Sequence, residues 1–454
     1  MNVLVVGLGV SGIACIKGLS EAGAKIYAFD EASEESLKDR LKEIEGIEAE
    51  YFFGNEEIDK INMGIFDYAI KSPGIKYEAP IIERLVKNKI EIISDIEAAY
   101  RATKATIVSI TGTNGKTTTT SLIGEIVKAS NKTCKVTGNI GFGIYYDAIK
   151  AKEDDILVAE VSSFQLAGTS KYKPRISVIT NITPDHLDYH HTVENYTDAK
   201  FKNVINQDEN DYAVLNYEDA TIRNFSDKIK AKKIFFSSER VLEYGIFTEK
   251  GQMFYKTGNN KEFIVNVKEI FIPGKHNLEN AMAAAGAAIA LGIDFAIIAK
   301  VLKEFKGVEH RLEFAGEYKK VKFYNDSKGT NPDASIKAIQ GINKPIILIA
   351  GGYDKKSSYD DFIKAFDDKV KALILLGQTA EDIRKCALKY GFNSIFMVET
   401  MDEAVKKSFE LAEEGDNVLL SPACASWGMY PNYEVRGRDF KERVNYYGRN
   451  SKKI

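Results

Sequence analysis

The sequence predicts an α/β protein of three successive blocks built on mainly parallel sheets. Three observations carry that prediction. Short runs rich in β-branched residues alternate with helix-length segments nearly throughout, as strand-helix-strand crossovers require. Two glycine-bearing loops, Gly7–Gly12 and Thr111–Thr117, each stand between such a run and a helix. The 454 residues correspond to roughly three domains of about 150 residues each.

Composition narrows the class. With 44% hydrophobic and 28% charged residues, disordered, collagen-like and disulfide-scaffold chains are excluded. Lys and Arg (62) nearly balance Asp and Glu (65), so neither nucleic acid nor an anionic membrane is expected as the main partner. The uncharged, Ala-rich stretch Asn280–Ile293 is well short of the roughly 20 apolar residues that cross a bilayer. Met1–Gly12 carries no basic segment ahead of its apolar run. It reads as a buried strand rather than an export signal, which makes the cytoplasm the expected compartment. Cys15, Cys134, Cys386 and Cys424 form no C-x-x-C pair, so neither a zinc site nor a disulfide framework is indicated.

The first block, residues 1–93, opens with strand Val3–Val6, the loop GLGVSG, a helix to about Ala22 and a strand ending at Asp30; its last strand is Glu91–Ile93. Gly7, Gly9 and Gly12 give a full G-x-G-x-x-G with an acid at the end of the next strand. Its backbone amides suit a diphosphate at a helix N-terminus. A ligand-free tight turn has the same signature, and the motif does not specify NAD.

The second block, residues 94–306, contains strand Ala105–Ile110, the loop TGTNGKT and a helix from about Thr118. Gly112, Thr113, Asn114, Gly115, Lys116, Thr117 and Thr118 place amides, an ammonium and hydroxyls at a strand-to-helix junction, where ATP phosphates and Mg2+ are held. Ile110 stands where the general phosphate-loop pattern has its first glycine. Polar segments follow the later strands DDILVAEV and RISVIT: Glu160 in AEVSSFQL, His186 in NITPDHLD and Lys200 in YTDAK. Ligand sites in open α/β sheets lie at such carboxyl ends. Glu160 suits a hard cation better than His186 does. Read singly, each of these residues also fits a structural role, as do His190, His191 and His310. After Asp211 the pattern becomes irregular and hairpin-like, and helix Asn277–Leu291 closes the block.

The third block, residues 307–454, has strands at Val321–Tyr324, Pro345–Ala350, Ala372–Leu376 and Asn417–Leu420. NDSKGTN (Asn325–Asn331), GGYDK (Gly351–Lys355) and SPACAS (Ser421–Ser426) each follow a strand. Their shared position argues for one binding edge with anion-binding residues.

Together these motifs resemble the Mur ligases, ATP-dependent amide-forming enzymes of peptidoglycan precursor synthesis. GTNGKT, AEVSSFQL, NITPDHLD, YTDAK, GKHNLEN, His310-Arg311 and SPACAS occur in the family's order over almost the whole chain. GLGVSG and NDSKGTNP are similar to the family's D-glutamate-adding branch; the diaminopimelate- and lysine-adding branches carry a DYAH-type segment in place of NDSK. The resemblance implies a three-domain Mur ligase architecture: a Rossmann-like N-terminal domain for the UDP substrate, a central ATPase-like domain, and a Rossmann-like C-terminal domain for the incoming amino acid and part of ATP. It implies ATP, two Mg2+ sites and a carbamylated Lys200, with UDP-N-acetylmuramoyl-L-alanine and D-glutamate as substrates, and a monomer.

Residue by residue, the resemblance implies that Gly112 to Thr118 and Lys116 hold the ATP phosphates. Thr117 and Glu160 would meet one Mg2+, and His186 with carbamylated Lys200 the other. Asn277 and Asn280 would meet adenine, and Arg311 and Asp326 the phosphates and ribose. Gly9, Val10, Ser11, Asp30, Ser72, Pro73, Gly74, Asn139 and His186 would bind the UDP substrate. Lys328, Thr330, Lys355, Ser426 and Tyr433 would bind D-glutamate, Tyr433 standing where the family has Phe. Glu31 and Ala32 depart from the Thr-Arg pair that follows the Asp in some relatives. An NAD-dependent oxidoreductase would leave GTNGKT and the third block unexplained, and a nucleotide-gated regulator would not need lysine-bearing loops for a second substrate.

Overall fold

Strands form here where β-branched and aliphatic residues run without interruption, because helices cover both faces of a parallel sheet. The computed structural model describes residues 1–140, 143–353 and 358–450. They form three sheets, of five, nine and six strands. In the first, the order is Glu50–Phe53, Lys25–Asp30, Asn2–Val6, Tyr68–Lys71, Ile92–Ser94, all parallel. The period of two is visible in the central strand: Val3 and Val5 pack with Ile16 and Leu19 on one face, whereas Leu4 and Val6 pack with Ile81 and Leu85 on the other. Helix Val10–Glu21 begins directly after the glycine-rich loop.

In the second sheet, strand Thr106–Thr111 lies between Ile156–Glu160 and Ile176–Ile179. This parallel sheet continues through Tyr212–Asn216 and Lys232–Ser237. The stretch after Asp211, expected to be hairpin-like, therefore first supplies two parallel strands with helix Ala220–Phe225 between them. Antiparallel pairing is confined to Gly245–Glu249, Gln252–Thr257 and Asn260–Asn266. The helix after the phosphate-loop motif starts at Lys116, two residues before the expected Thr118, because Gly115 takes the N-cap position in a left-handed conformation. The later helix spans Lys275–Ala290, and a further helix, Phe295–Glu304, follows it.

The third sheet has the order Glu313–Tyr318, Val321–Asn325, Asn417–Leu420, Ile346–Ala350, Val370–Leu375, Ile395–Met397. Its first strand is antiparallel and the others are parallel.

The chain divides into two compact units: Met1–Ile270 with Leu278–Glu304, and Phe271–Asn277 with Phe305–Ile454. The first two sheets share the amino-terminal unit. One apolar cluster runs through both, joining Val3, Val5 and Ile96 to Ile107 and Leu157. The carboxylate of Glu97, fully buried, adds a polar tie by accepting the backbone N–H groups of Ser170, Lys171 and Tyr172 while pairing with Arg101. Among the described residues no helix is long and apolar enough to cross a membrane.

Candidate active site

The loop Gly112–Gly115 leaves a central strand and enters helix Lys116–Ala129. Its shape is fixed by the segment beyond the neighbouring strand. Thr113 N–H donates to Asn181 O at 2.9 Å, Asn114 N–H to Asn181 Oδ1 at 2.9 Å, and Thr180 Oγ1 to Asn114 O at 2.6 Å. Gly115 has φ +83°, and a Cβ there would lie 2.1 Å from Asn280 Oδ1, so a side chain is excluded on both counts. The loop thus presents backbone amides and the positive end of a 14-residue helix, a natural anion seat. Thr117 and Thr118 are buried beneath it.

Two lysines converge on this loop. Lys116 Nζ donates to Gly112 O and Thr113 O, both at 2.9 Å. Lys200 Nζ donates to the same Gly112 O at 2.8 Å and lies over the Tyr196 ring, 4.7 Å from its centroid. Lys200 is almost fully enclosed. Burial first, and repulsion from Lys116 second, hold its ammonium well below the ordinary lysine range, against a smaller opposing pull from Asp185. Glu160 ends the adjacent strand, opposite Ile110 in the register. Its Oε1 accepts Asn139 Nδ2–H at 2.9 Å. Its Oε2 is buried with no hydrogen-bond partner among the described residues, an arrangement that is costly unless a cation or donor completes it.

His186 sits apart. It caps the short helix Leu187–His190 with φ 51°, is half exposed beside Asp185, and packs on Phe164 with ring centroids 4.8 Å apart. No hydrogen bond among the described residues joins it to Glu160 or Lys200. His190 is buried, with Nε2 2.9 Å from Ser163 Oγ.

In the first sheet, the helix approaches the glycine-rich loop so closely that a Cβ on Gly12 would lie 1.9 Å from Gly7 O. Ser72 Oγ donates to Gly7 O at 2.7 Å, joining the Ser72–Gly74 turn to this loop. Asp30 spends one oxygen on Leu8 N–H at 2.6 Å and the other on Ala32 N–H at 2.9 Å. Each oxygen has further acceptor capacity. Val10 is exposed, and Ser11 favours the charged form of the neighbouring Asp95 carboxylate. Around Gly9 a Cβ would meet nothing within 4 Å, so the loop face is open.

Two residues here escape a motif reading. Lys71, the last residue of its strand, is buried and donates to Ile75 O at 2.6 Å, Ser72 O at 3.2 Å and Tyr189 OH at 3.2 Å. Asp95, also buried, accepts Gln165 Nε2–H at 2.9 Å, and burial raises its carboxyl above the usual range. The only signal in the sequence is a charged residue at each end of a run otherwise suited to burial.

In the carboxyl-terminal unit, Asp326 is buried. Its Oδ1 accepts Leu312 N–H at 3.2 Å and its Oδ2 accepts Ser421 Oγ–H at 2.7 Å. Burial pushes its carboxyl up to about 7, against the opposing Ser421 bond and the Arg311 charge. Lys328 N–H donates to His310 O at 3.0 Å and Thr330 N–H to Lys328 O at 2.8 Å. Lys328 Nζ lies 5.7 Å from the centroid of the Tyr433 ring. Ser426 is buried.

The residue that organises these loops, Arg436, belongs to no motif. Its buried guanidinium donates to Ser327 Oγ and O at 3.0 and 2.8 Å, and twice to Cys424 O at 3.1 Å. It therefore ties NDSK to SPACAS, and burial lowers its pKa to about 10. Asn277 and Asn280 are both buried on helix Lys275–Ala290. Lys355 lies outside the described residues.

Residues 1–94 match the Mur ligase MurD-like N-terminal domain, residues 110–288 the Mur ligase middle domain, and residues 310–424 the Mur ligase glutamate ligase domain. The UDP-N-acetylmuramoylalanine--D-glutamate ligase of Thermoanaerobacter sp. (strain X514) is 51% identical over 445 residues, covering 98% of each chain. The ligase of that name from Clostridioides difficile (strain 630) is 44% identical over 448 residues, again covering 98% of each. Among solved structures, UDP-N-acetylmuramate-alanine ligase MurC from Thermotoga maritima is similar at 22% identity and TM-score 0.60, covering 98% of this chain and 99% of its own. MurF ligase from Thermotoga maritima in complex with ADP is similar at 17% identity and TM-score 0.56, covering 85% and 97%.

Proposed function

The chain belongs to the Mur ligase family, and we propose from that premise that it is the ADP-forming ligase that joins D-glutamate to UDP-N-acetylmuramoyl-L-alanine in peptidoglycan precursor synthesis. The observation that carries the chemistry is the convergence of Lys116 and Lys200 on the Gly112 carbonyl beside a strand that ends in a half-satisfied Glu160. A carboxylate resists attack by an amine. ATP therefore phosphorylates the alanine carboxylate, and the amine of D-glutamate displaces phosphate from the acyl phosphate. Negative charge grows first on the transferred phosphoryl group and then on a tetrahedral carbon's oxygen, so fixed positive charge is the main catalytic device.

In this reading phosphate oxygens replace the loop carbonyls as acceptors for Lys116, and Gly112 to Thr118 form the seat of the β and γ phosphates. Asn277, Asn280, Arg311 and Asp326 are also assigned to ATP. The donor set fits Mg2+: the orphan oxygen of Glu160 and the hydroxyl of Thr117 are hard ligands at the loop. His186 and Lys200 would serve a second ion. Bound Mg2+ would polarise the phosphoryl oxygens and neutralise their charge.

Lys200 cannot ligate a cation as an ammonium. Its depressed pKa favours the neutral amine, which adds to CO2 to give a carbamate and a proton. That change turns a repulsive Lys116–Lys200 pair into an attractive one.

Substrate roles follow the same assignment. Gly9, Val10, Ser11, Asp30, Ser72, Pro73, Gly74, Asn139 and His186 bind the UDP substrate, and residues 1–93 form its domain. Residues 94–306 bind ATP. Residues 307–454 receive D-glutamate through Lys328, Thr330, Lys355, Ser426 and Tyr433. The protein acts as a monomer in the cytoplasm, where ATP and nucleotide sugars are available, without nucleic acid or membrane partners. Hydroxylamine added with ATP and the UDP substrate, but without D-glutamate, should yield the alanyl hydroxamate. Ligation that proceeds normally with no trappable acyl group would refute this mechanism.

A further inference from the structure

Lys71 is among the largest fully buried side chains of the protein. An enclosed ammonium is costly unless its donors are satisfied. No carboxylate of the described residues lies within ion-pair distance of it. Its donors go instead to Ser72 O and Ile75 O, the carbonyls that bracket the Ser72–Gly74 turn, at 3.2 and 2.6 Å. The remaining contact is to Tyr189 OH at 3.2 Å. Tyr189 stands edge-on to Phe164, with centroids 4.5 Å apart, and Phe164 in turn packs on His186 at 4.8 Å. A continuous path of contact therefore runs from the turn, through Lys71, Tyr189 and Phe164, to His186. Both ends of that path are assigned above to the UDP substrate.

We propose that Lys71 is a positioning residue for that substrate: by clamping the Ser72–Gly74 turn and holding Tyr189, it fixes the turn and His186 at the spacing one bound UDP-sugar requires. The inference rests on the proposed function. Lys71 itself touches backbone and tyrosine, so it acts through those groups.

Charge state gives a readout that packing alone does not. Burial lowers the Lys71 ammonium to about 8, while Asp95 and Glu78 pull it upward. Asp95 faces it from helix Asp95–Ala102, and Glu78 lies just beyond the turn, 3.4 Å from His191. Tyr77 and Tyr189 flank it, both raised by burial above the ordinary phenol range. His190 packs against Tyr189 with centroids 5.0 Å apart. The two phenols remain neutral through pH 8 to 9, so of Lys71 and these two tyrosines it is Lys71 that changes charge there.

The test is steady-state kinetics of the full-length enzyme with each substrate varied in turn. Lys71→Met should raise KM for the UDP substrate about tenfold, the loss of one charge-assisted tie, with KM for ATP and D-glutamate changed less than about twofold. Tyr189→Phe keeps the ring stacking and removes the acceptor hydroxyl, so it should give a smaller rise in the same constant alone. Wild-type kcat/KM for the UDP substrate should fall as pH rises from 8 to 9, a limb absent from Lys71→Met. If Lys71→Met does not fold, Tyr189→Phe and the wild-type pH profile decide the matter. Unchanged KM for the UDP substrate in both variants, or equal rises in all three constants, would overturn the inference while leaving the function intact. A wild type that does not bind the UDP substrate would overturn both.

Discussion

Replacing Asp326 with asparagine should change how the stability of the carboxyl-terminal unit depends on pH. The buried carboxyl has been raised from 3.8 to about 7. Between those values the folded unit holds a proton that the unfolded chain has released. Stability therefore falls as pH rises through the window and levels off above about 7. Each unit is worth up to about 1.4 kcal/mol and the slope eases as the folded carboxyl titrates, so from pH 5 to 7 the wild type should lose about 2 kcal/mol that Asp326→Asn does not. Asparagine keeps an acceptor for Leu312 N–H, and the Ser421 hydroxyl can turn to accept from its amide. The absolute offset between the proteins includes those exchanged bonds, but the difference in slope does not. The assay is urea unfolding at pH 5, 6, 7 and 8, followed by the single tryptophan, Trp427, which lies in this unit. Parallel stability curves for the two proteins would refute the claim that Asp326 is held protonated by its surroundings. The same substitution should raise KM for ATP several-fold, separating stability from function.

Two further predictions concern the loop around Gly112. Lys116→Ala should abolish formation of the hydroxylamine-trappable acyl group, since the transferred phosphoryl group loses its nearest ammonium; near wild-type ATP turnover would contradict that role. Lys200→Ala should lose most activity and regain part of it with formate or acetate, which supply the missing oxygens, while the wild type incubated with 13C-labelled CO2 should show a carbamate resonance that the variant lacks. Full activity without the added carboxylate would reduce Lys200 to a packing residue.

The parts of this protein that can be read along the chain are those whose chemistry is local. GTNGKT and GLGVSG declare themselves because a turn, a helix start and an anion seat are built from consecutive residues. Strand Asn417–Leu420 is legible from its unbroken aliphatic run. By contrast, Lys71 meets Tyr189 and Arg436 meets Ser327 across more than a hundred residues of chain. Neither residue lies in a motif, and nothing near it in the sequence names its partner. Asp30 shows the intermediate case: its position at a strand end is legible, but its bonds to the Leu8 and Ala32 amides give it a structural task the motif alone does not state. The parallel strands Tyr212–Asn216 and Lys232–Ser237 were hidden for a different reason. The crossover helix between them is only 6 residues long, too short for its periodicity to show, so the segment resembles a hairpin until its partners are known.

The central claim is that this chain activates the UDP substrate's carboxylate with ATP and accepts D-glutamate as the nucleophile. Its most direct test is ADP release by the purified protein with Mg2+, ATP and UDP-N-acetylmuramoyl-L-alanine, offered in turn D-glutamate, L-glutamate, D-aspartate, L-lysine and meso-diaminopimelate. Sustained ADP release, with a product heavier by one glutamyl residue, should occur with D-glutamate alone. Sustained release with lysine or diaminopimelate instead, or release that does not depend on the UDP substrate, would contradict the account.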